Sequence, residues 1–261
     1  MLDTASIAAI ADQVEEAQRH AHTIAKITDA YPAMSVEDGY EVMFELLRRW
    51  QGAGRALQGW KAGLTSRAKM VQMGVEAPSF GLLMRDTCDP EGGTIATAGL
   101  IHPRVEAEIA FVMKDQLAGP DVSVEAVLDA IDFVQPALEI LDSRFEKFKF
   151  DLPSVIADNS SSARFVLGGR AVRAREHDLA RLGVVLEING DPVCFAASGA
   201  VMGHPAQVIR MLVAWLHQRG MTLAAGSVVL TGAVTEAFPI KAGDSICARF
   251  QDLGTINLKV G

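Results

Sequence analysis

The hydrophobic period of the chain changes at Gly52 and Gly54, from the three-and-four spacing of helices to the short apolar runs of strands. Before the change, residues 5–20 carry Ile7, Ile10, Val14 and Ala17 on one helical face. A second helix starts at Ser35, whose hydroxyl can cap free backbone amides, and runs to about Trp50. Glu37 and Asp38 fall in its first turn, where the helix dipole favours acids. Beyond the glycines, apolar runs at 57–64, 101–113, 132–141, 183–188, 227–231 and 245–250 are bounded by Gly, Pro and Asp. Helical spacing returns at 123–131 and at 204–219, where Val208, Met211, Leu212 and Trp215 form a stripe. Asn189-Gly190 can place both central residues of a tight hairpin at positive φ. The pattern predicts an α+β chain in one compact unit: a helical portion over 1–55 and a sheet-rich domain over 56–261. Its sheet is expected to be largely antiparallel or rolled, because the strands are too numerous and too irregularly separated for a doubly wound sheet.

A chain of 261 residues with 49% apolar residues can bury a core without a staple, so stability gives no reason to invoke a structural metal. The formal net charge of −8 argues against a nucleic-acid partner. It still admits an anionic substrate, because a few local cations or a bound metal dominate the field inside a small site. Cys88, Cys194 and Cys247 are scattered and form no CxxC, the pattern of reduced thiols. The first residues are acidic and interrupted by charge, unlike a signal peptide, and no apolar run reaches the ~18 residues of a membrane span. A cytoplasmic protein with no membrane partner is the expectation. No GxSxG, P-loop or GxGxxG supports a hydrolase, NTPase or dinucleotide reading.

Three stretches carry chemistry. In Ile101-His102-Pro103-Arg104-Val105-Glu106-Ala107-Glu108-Ile109, strand alternation puts Glu106 and Glu108 on one face. Two adjacent carboxylates repel, so the pair either reaches solvent or is held by a cation. Glu139 sits in the apolar run 134–141, where burying a lone acid is costly. If the two runs are neighbouring strands, three acids converge into an all-oxygen site suited to a hard cation such as Mg²⁺ or Mn²⁺. Otherwise the pair lines a solvated face and Glu139 meets an arginine. Lys61, in GWKAGLTS (59–66), can orient an anion or donate a proton, or is a lysine on a strand edge. ADNSSS (157–162) offers hydroxyls and amides for a carboxylate, or is a plain turn with Asx and Ser caps. Weaker candidates are His102 as support for the acids, His204 as a helix-start cap, and Met70 with Met73 as packing.

Taken in order, GWKAGLTS, PSFGLL (78–83), HPRVEAEIAF (102–111), PALEILDSRF (136–145), ADNSSS, GHP (203–205) and AGSVVLTG (225–232) resemble a known family. It is the 2-hydroxypentadienoate hydratase and 4-oxalocrotonate decarboxylase group of the fumarylacetoacetate hydrolase-like superfamily. The resemblance runs over about residues 5 to 260 and implies a mixed β-roll preceded by helices. It implies Mg²⁺ or Mn²⁺ on Glu106, Glu108 and Glu139, with Lys61 in the active site as a catalytic and substrate-binding group and Ser161 near the substrate. Ser160 stands where the family pattern usually has alanine.

FKFDL (148–152), the serines before Arg164-Phe165, and TSRAKMVQMGV (65–75) resemble the decarboxylases of the group. They imply loss of CO₂ from 2-oxohex-3-enedioate, giving 2-hydroxypenta-2,4-dienoate in meta-cleavage degradation of aromatics. Phe80, Leu82 and Phe148 would then wall the departing carboxylate. Hydration of the dienoate and a non-enzymatic metal-binding scaffold are the alternatives. A homo-oligomer, and a complex with the hydratase that consumes the product, complete what the resemblance implies.

Overall fold

The computed structural model describes the whole chain except residues 68, 69, 72 and 73, so the Met70/Met73 pairing lies outside the described residues. Three helices come first: α1 (Thr4–Arg19), the short α2 (Ile27–Ala30) and α3 (Val36–Gly52). Ser35 caps α3 as expected, and its partner Asp38 completes a capping box. The periodic residues Ile10, Val14 and Ala17 of α1 are buried, as are Val42, Leu46 and Trp50 of α3.

The strands form two sheets. The larger takes its strands in the order β2 (Ser79–Met84), β1 (Leu57–Gly63), β10 (Val228–Leu230), β5 (Arg104–Met113), β6 (Ile131–Leu141), β7 (Ser162–Leu167) and β3 (Cys88–Asp89). The short β11 (Phe238–Pro239) adds to one end of β5. The second sheet runs β4 (Thr94–Ile95), β13 (Gly254–Val260), β12 (Ser245–Phe250), β8 (Gly183–Ile188) and β9 (Asp191–Ala197). Pairing is largely antiparallel; β1–β10, β3–β7 and β4–β13 are parallel. The hairpin expected at Asn189-Gly190 joins β8 to β9, with φ of 57° and 85° at the two turn residues.

Among the described residues three further helices follow: α4 (Val124–Asp129), α5 (Leu152–Ala157) and α6 (Ala206–His217). One apolar core runs from Ile10 and Leu46 of the N-terminal helices through Trp60, Ile109 and Leu138 of the larger sheet to Ile246 and Leu258 of the smaller. At one end Trp215 of α6 packs against Tyr40, Phe44, Trp60 and Phe80, with ring centroids 4.8 to 5.9 Å away. This nest clamps α3 and α6 onto the inner face of β1 and β2, and such ring pairs add about 0.5–1.5 kcal/mol each beyond their burial. The outer face of the same sheet holds a smaller apolar cluster that includes Leu83, Ala110, Ala137, Phe165 and Leu230.

Candidate metal centre and active site

In β5 and β6, Glu106 lies directly opposite Glu139, and Glu108 opposite Ala137. Directly opposed residues share a sheet face, so all three acids project from the outer face of the larger sheet. Each is buried, and each offers a carboxylate oxygen within 4.8 Å of the others. Like charges opposed across a ladder are destabilising. Burial rules out the solvated-face alternative, and among the described residues no arginine is paired with Glu139.

The cation that does meet Glu139 is Lys61, whose Nζ is 2.9 Å from Oε2. The chain of pairing runs Lys61 to Leu230 on β10, then Leu230 to Ala110 on β5, which puts Lys61 on the acids' face. Three strand steps separate β1 from β6, about 14 Å in a flat sheet, so only a long side chain closes the gap. Lysine has that reach. Apart from this ion pair, both Glu139 oxygens are buried without a hydrogen-bond donor among the described residues. Glu108 accepts one, from the backbone N–H of Gly232 at 2.8 Å.

Burial raises the pKa of Glu108 well above the ordinary carboxylate value, and the charges of Glu139 and Glu106 raise it further. Burial also raises Glu139, against the opposing pull of Lys61. For Lys61 burial disfavours the ammonium, but the carboxylates, Glu139 foremost, outweigh it and hold the group above its usual value. Three buried acids stand against one lysine within this group of four, an excess of negative charge that a divalent cation reduces. All-oxygen donors, close convergence and the orphaned Glu139 oxygens fit a hard ion of that charge.

The polar motif ends beside this cluster in a turn, Asn159–Ser161, whose three residues sit at φ of 48°, 51° and 58°. Left-handed backbone costs a non-glycine residue about 1–2 kcal/mol, so three in a row must be held in place. Asn159 does much of this: its Nδ2 donates to Leu82 O at 3.0 Å, and Leu82 N–H donates to its Oδ1 at 2.7 Å. The amide side chain thereby continues the edge of β2. At the other end, Asp142 N–H donates to Ser161 O at 2.8 Å. Below the turn Asp158 is fully buried against Arg144, and burial pushes its carboxyl up to about 6 despite the guanidinium. Ser161 Oγ donates to Asp158 Oδ2 at 3.4 Å. Ser160 O accepts from Lys61 Nζ at 3.2 Å, which ties the turn to the acid cluster.

The structure thus brings Lys61, Glu106, Glu108, Glu139 and the serine turn together. It does not bring in the side chains of Phe80 and Leu82. Lys61 pairs with Gly81, so the flanking Phe80 and Leu82 point to the opposite face, into the main core. The correction is one of parity: the segment reaches the site through Gly81 and the Leu82 backbone. A Cβ on Gly81 would stand 3.1 Å from both Lys61 Cγ and Asn159, a tight fit. The apolar groups that share the acids' face are Leu83, Ala110, Ala137 and Phe165.

Phe148 lies at the end of β5, 4.8 Å from the His102 ring and under Arg104, whose guanidinium carbon is 4.4 Å from its centroid. Arg104 is on the acids' face. His204 serves as a helix-start cap, its Nδ1 accepting from Ala206 N–H at 3.1 Å. Gly232 and Asn159 escaped assignment from sequence. Gly232 closes AGSVVLTG at φ 98°, where a Cβ would meet Thr65 Oγ1 at 2.1 Å, and glycine at such a turn was the available signal. Met202 N–H donates to Thr65 O at 3.1 Å, beside a cavity of about 830 Å³ whose lining includes Ser66, Arg67, Glu76, Gly199 and Met202.

Fold and site together define a two-sheet β-roll with a buried centre for a divalent cation. Residues 60–261 match the family model for the fumarylacetoacetate (FAA) hydrolase C-terminal domain. Over 253 residues the chain is 46% identical to a 4-oxalocrotonate decarboxylase of Pseudomonas sp. (strain CF600), an alignment covering 97% of this chain and 96% of that one. It is 36% identical to a 2-hydroxyhexa-2,4-dienoate hydratase of Comamonas testosteroni, over 99% of both chains. The solved 4-oxalocrotonate decarboxylase from Pseudomonas putida G7, complexed with magnesium and adipate, superposes with a TM-score of 0.98 at 44% identity, covering 100% of this chain and 99% of that one. The chain belongs to the fumarylacetoacetate hydrolase family. Among the described residues no helix is long and apolar enough to cross a membrane.

Proposed function

We propose that this enzyme is a carboxy-lyase, removing CO₂ from 2-oxohex-3-enedioate to give 2-hydroxypenta-2,4-dienoate, with Mg²⁺ or Mn²⁺ held by Glu106, Glu108 and Glu139. The observation that carries the reading is the buried acid triad with a lysine in its midst. Full-length identity to decarboxylases, 46% and 44%, against 36% to a hydratase supports the choice of reaction. When bound, the ion supplies a Lewis acid for the 2-oxo-acid head of the substrate.

Lys61 holds its proton tightly beside three carboxylates, so its ammonium directs positive charge at the C2 oxygen. As the bond to the distal carboxylate breaks, its electrons move through the alkene to that oxygen, where Lys61 stabilises them. Leu83, Ala110, Ala137 and Phe165 keep the adjoining surface dry, which favours turning a charged carboxylate into neutral CO₂. Ser161 belongs to the substrate site through its turn, its hydroxyl being engaged by Asp158.

The homo-oligomer and the complex with a product-consuming hydratase belong to the same proposal, checked by sedimentation of the chain alone and with that hydratase. Purified protein with Mg²⁺ is offered 2-oxohex-3-enedioate and, separately, 2-hydroxypentadienoate. CO₂ release from the first is expected. Water addition to the second without CO₂ release from the first would make the enzyme a hydratase, and neither reaction would leave a metal-binding scaffold.

A further inference from the structure

The serine turn holds two hydroxyls that meet different fates. Ser161 Oγ is engaged by Asp158. Ser160 Oγ is buried, in a residue only 7% exposed, and has no hydrogen-bond partner among the described residues. A buried hydroxyl without a partner destabilises a fold, and Ser160 is also in left-handed backbone that glycine adopts at no steric cost. Neither feature helps the chain fold. What a serine offers here and glycine does not is the hydroxyl.

The residue that carries it sits at the acid cluster. The carbonyl of the same residue accepts from Lys61 Nζ at 3.2 Å, and that Nζ is 2.9 Å from Glu139 Oε2. Asn159 and Ser161 are anchored to Leu82 and Asp142 on either side, which holds the Ser160 backbone at the cluster.

We propose that Ser160 Oγ donates a hydrogen bond to the 2-oxo-acid head of the substrate, at the oxygen Lys61 addresses. The assignment rests on the 2-oxo-acid reading given above. Ser160 thereby sets, with Lys61, a neutral and a charged donor on the atom where negative charge develops. The strained turn is the device that presents the hydroxyl and the lysine-binding carbonyl of one residue to the same site.

The test uses Ser160→Ala and Ser160→Gly, which both keep the carbonyl. Three quantities are measured: melting of the metal-free protein, calorimetric affinity for oxalate with saturating Mg²⁺, and kcat and KM on 2-oxohex-3-enedioate. Oxalate mimics the planar head alone. Melting should be unchanged or raised in Ser160→Ala, and higher again in Ser160→Gly. Oxalate Kd should rise roughly tenfold to a hundredfold in both, as for loss of a donor to a charged acceptor, with kcat falling and Mg²⁺ affinity unchanged. Oxalate affinity within twofold of the unsubstituted protein would overturn the proposal. So would a drop in melting temperature with oxalate binding intact, since the hydroxyl would then be structural. If the unsubstituted protein binds Mg²⁺ and oxalate but releases no CO₂, the decarboxylase reading falls, and the oxalate data alone decide the role of Ser160.

Discussion

Glu139→Gln should act in opposite directions on the metal-free and metal-loaded protein. Glu139 is fully buried, both of its oxygens lack a hydrogen-bond donor, and its pKa is raised first by burial. A glutamine keeps the shape, removes one of three crowded charges, and can donate its amide to the facing Glu106 carboxylate. The metal-free variant should therefore be more stable than the unsubstituted chain, by about 1 kcal/mol or more. With the cation the order reverses. A ligand at one hundred times its Kd stabilises by about 2.7 kcal/mol, which in a chain of this size is roughly 5–11 °C of melting temperature. The unsubstituted protein should show that rise on adding Mg²⁺, and Glu139→Gln should show little of it. Differential scanning calorimetry with EDTA and then with excess Mg²⁺ reads both arms. A full Mg²⁺ shift in the variant, or a metal-free variant that melts several degrees lower, would refute the reasoning.

Lys61→Ala should lower turnover by about 10²–10⁴ while the Mg²⁺-induced rise in melting temperature persists; unchanged turnover removes Lys61 from the chemistry. Arg144→Met strands the buried Asp158 carboxylate and should cost about 3–5 kcal/mol, read by chemical denaturation and partly restored by adding Asp158→Asn. Asp158, Glu108 and Glu139 all have raised pKa values, so the folded protein binds more protons than the unfolded chain between the ordinary and the raised values. Metal-free stability should accordingly fall as pH rises through that window, for Asp158 from about 4 to about 6. Denaturant titrations at pH 4.5 and 7 without metal check the sign, and a rise in stability with pH would contradict it.

The acids were legible because period two in 101–113 and a lone carboxylate in 134–141 each demand an explanation, and neighbouring strands supply one for both. The helix from Ser35 and the Asn189-Gly190 hairpin were legible because their caps and turn residues act locally. β2 and β7 escaped as strands: SFGLLM is buried on both faces and shows no alternation, and SARFVL follows a turn whose polar run dominates the pattern. The misplacement of Phe80 and Leu82 has a single cause. A motif brings a segment to a site, but which residues face inward depends on register, and a one-residue shift exchanges the faces. Nor could spacing tell Ser160 from Ser161, because their difference arises from three consecutive left-handed residues.

Strand β10 separates β1 from β5, so residues 228–230 lie wedged between segments more than a hundred positions earlier in the chain. A growing polypeptide cannot seat Lys61 against the acids until that late piece has left the ribosome. Assembly of the centre therefore waits on a contact far along the chain, and a product truncated ahead of Val228 should leave it unformed however well its helices form.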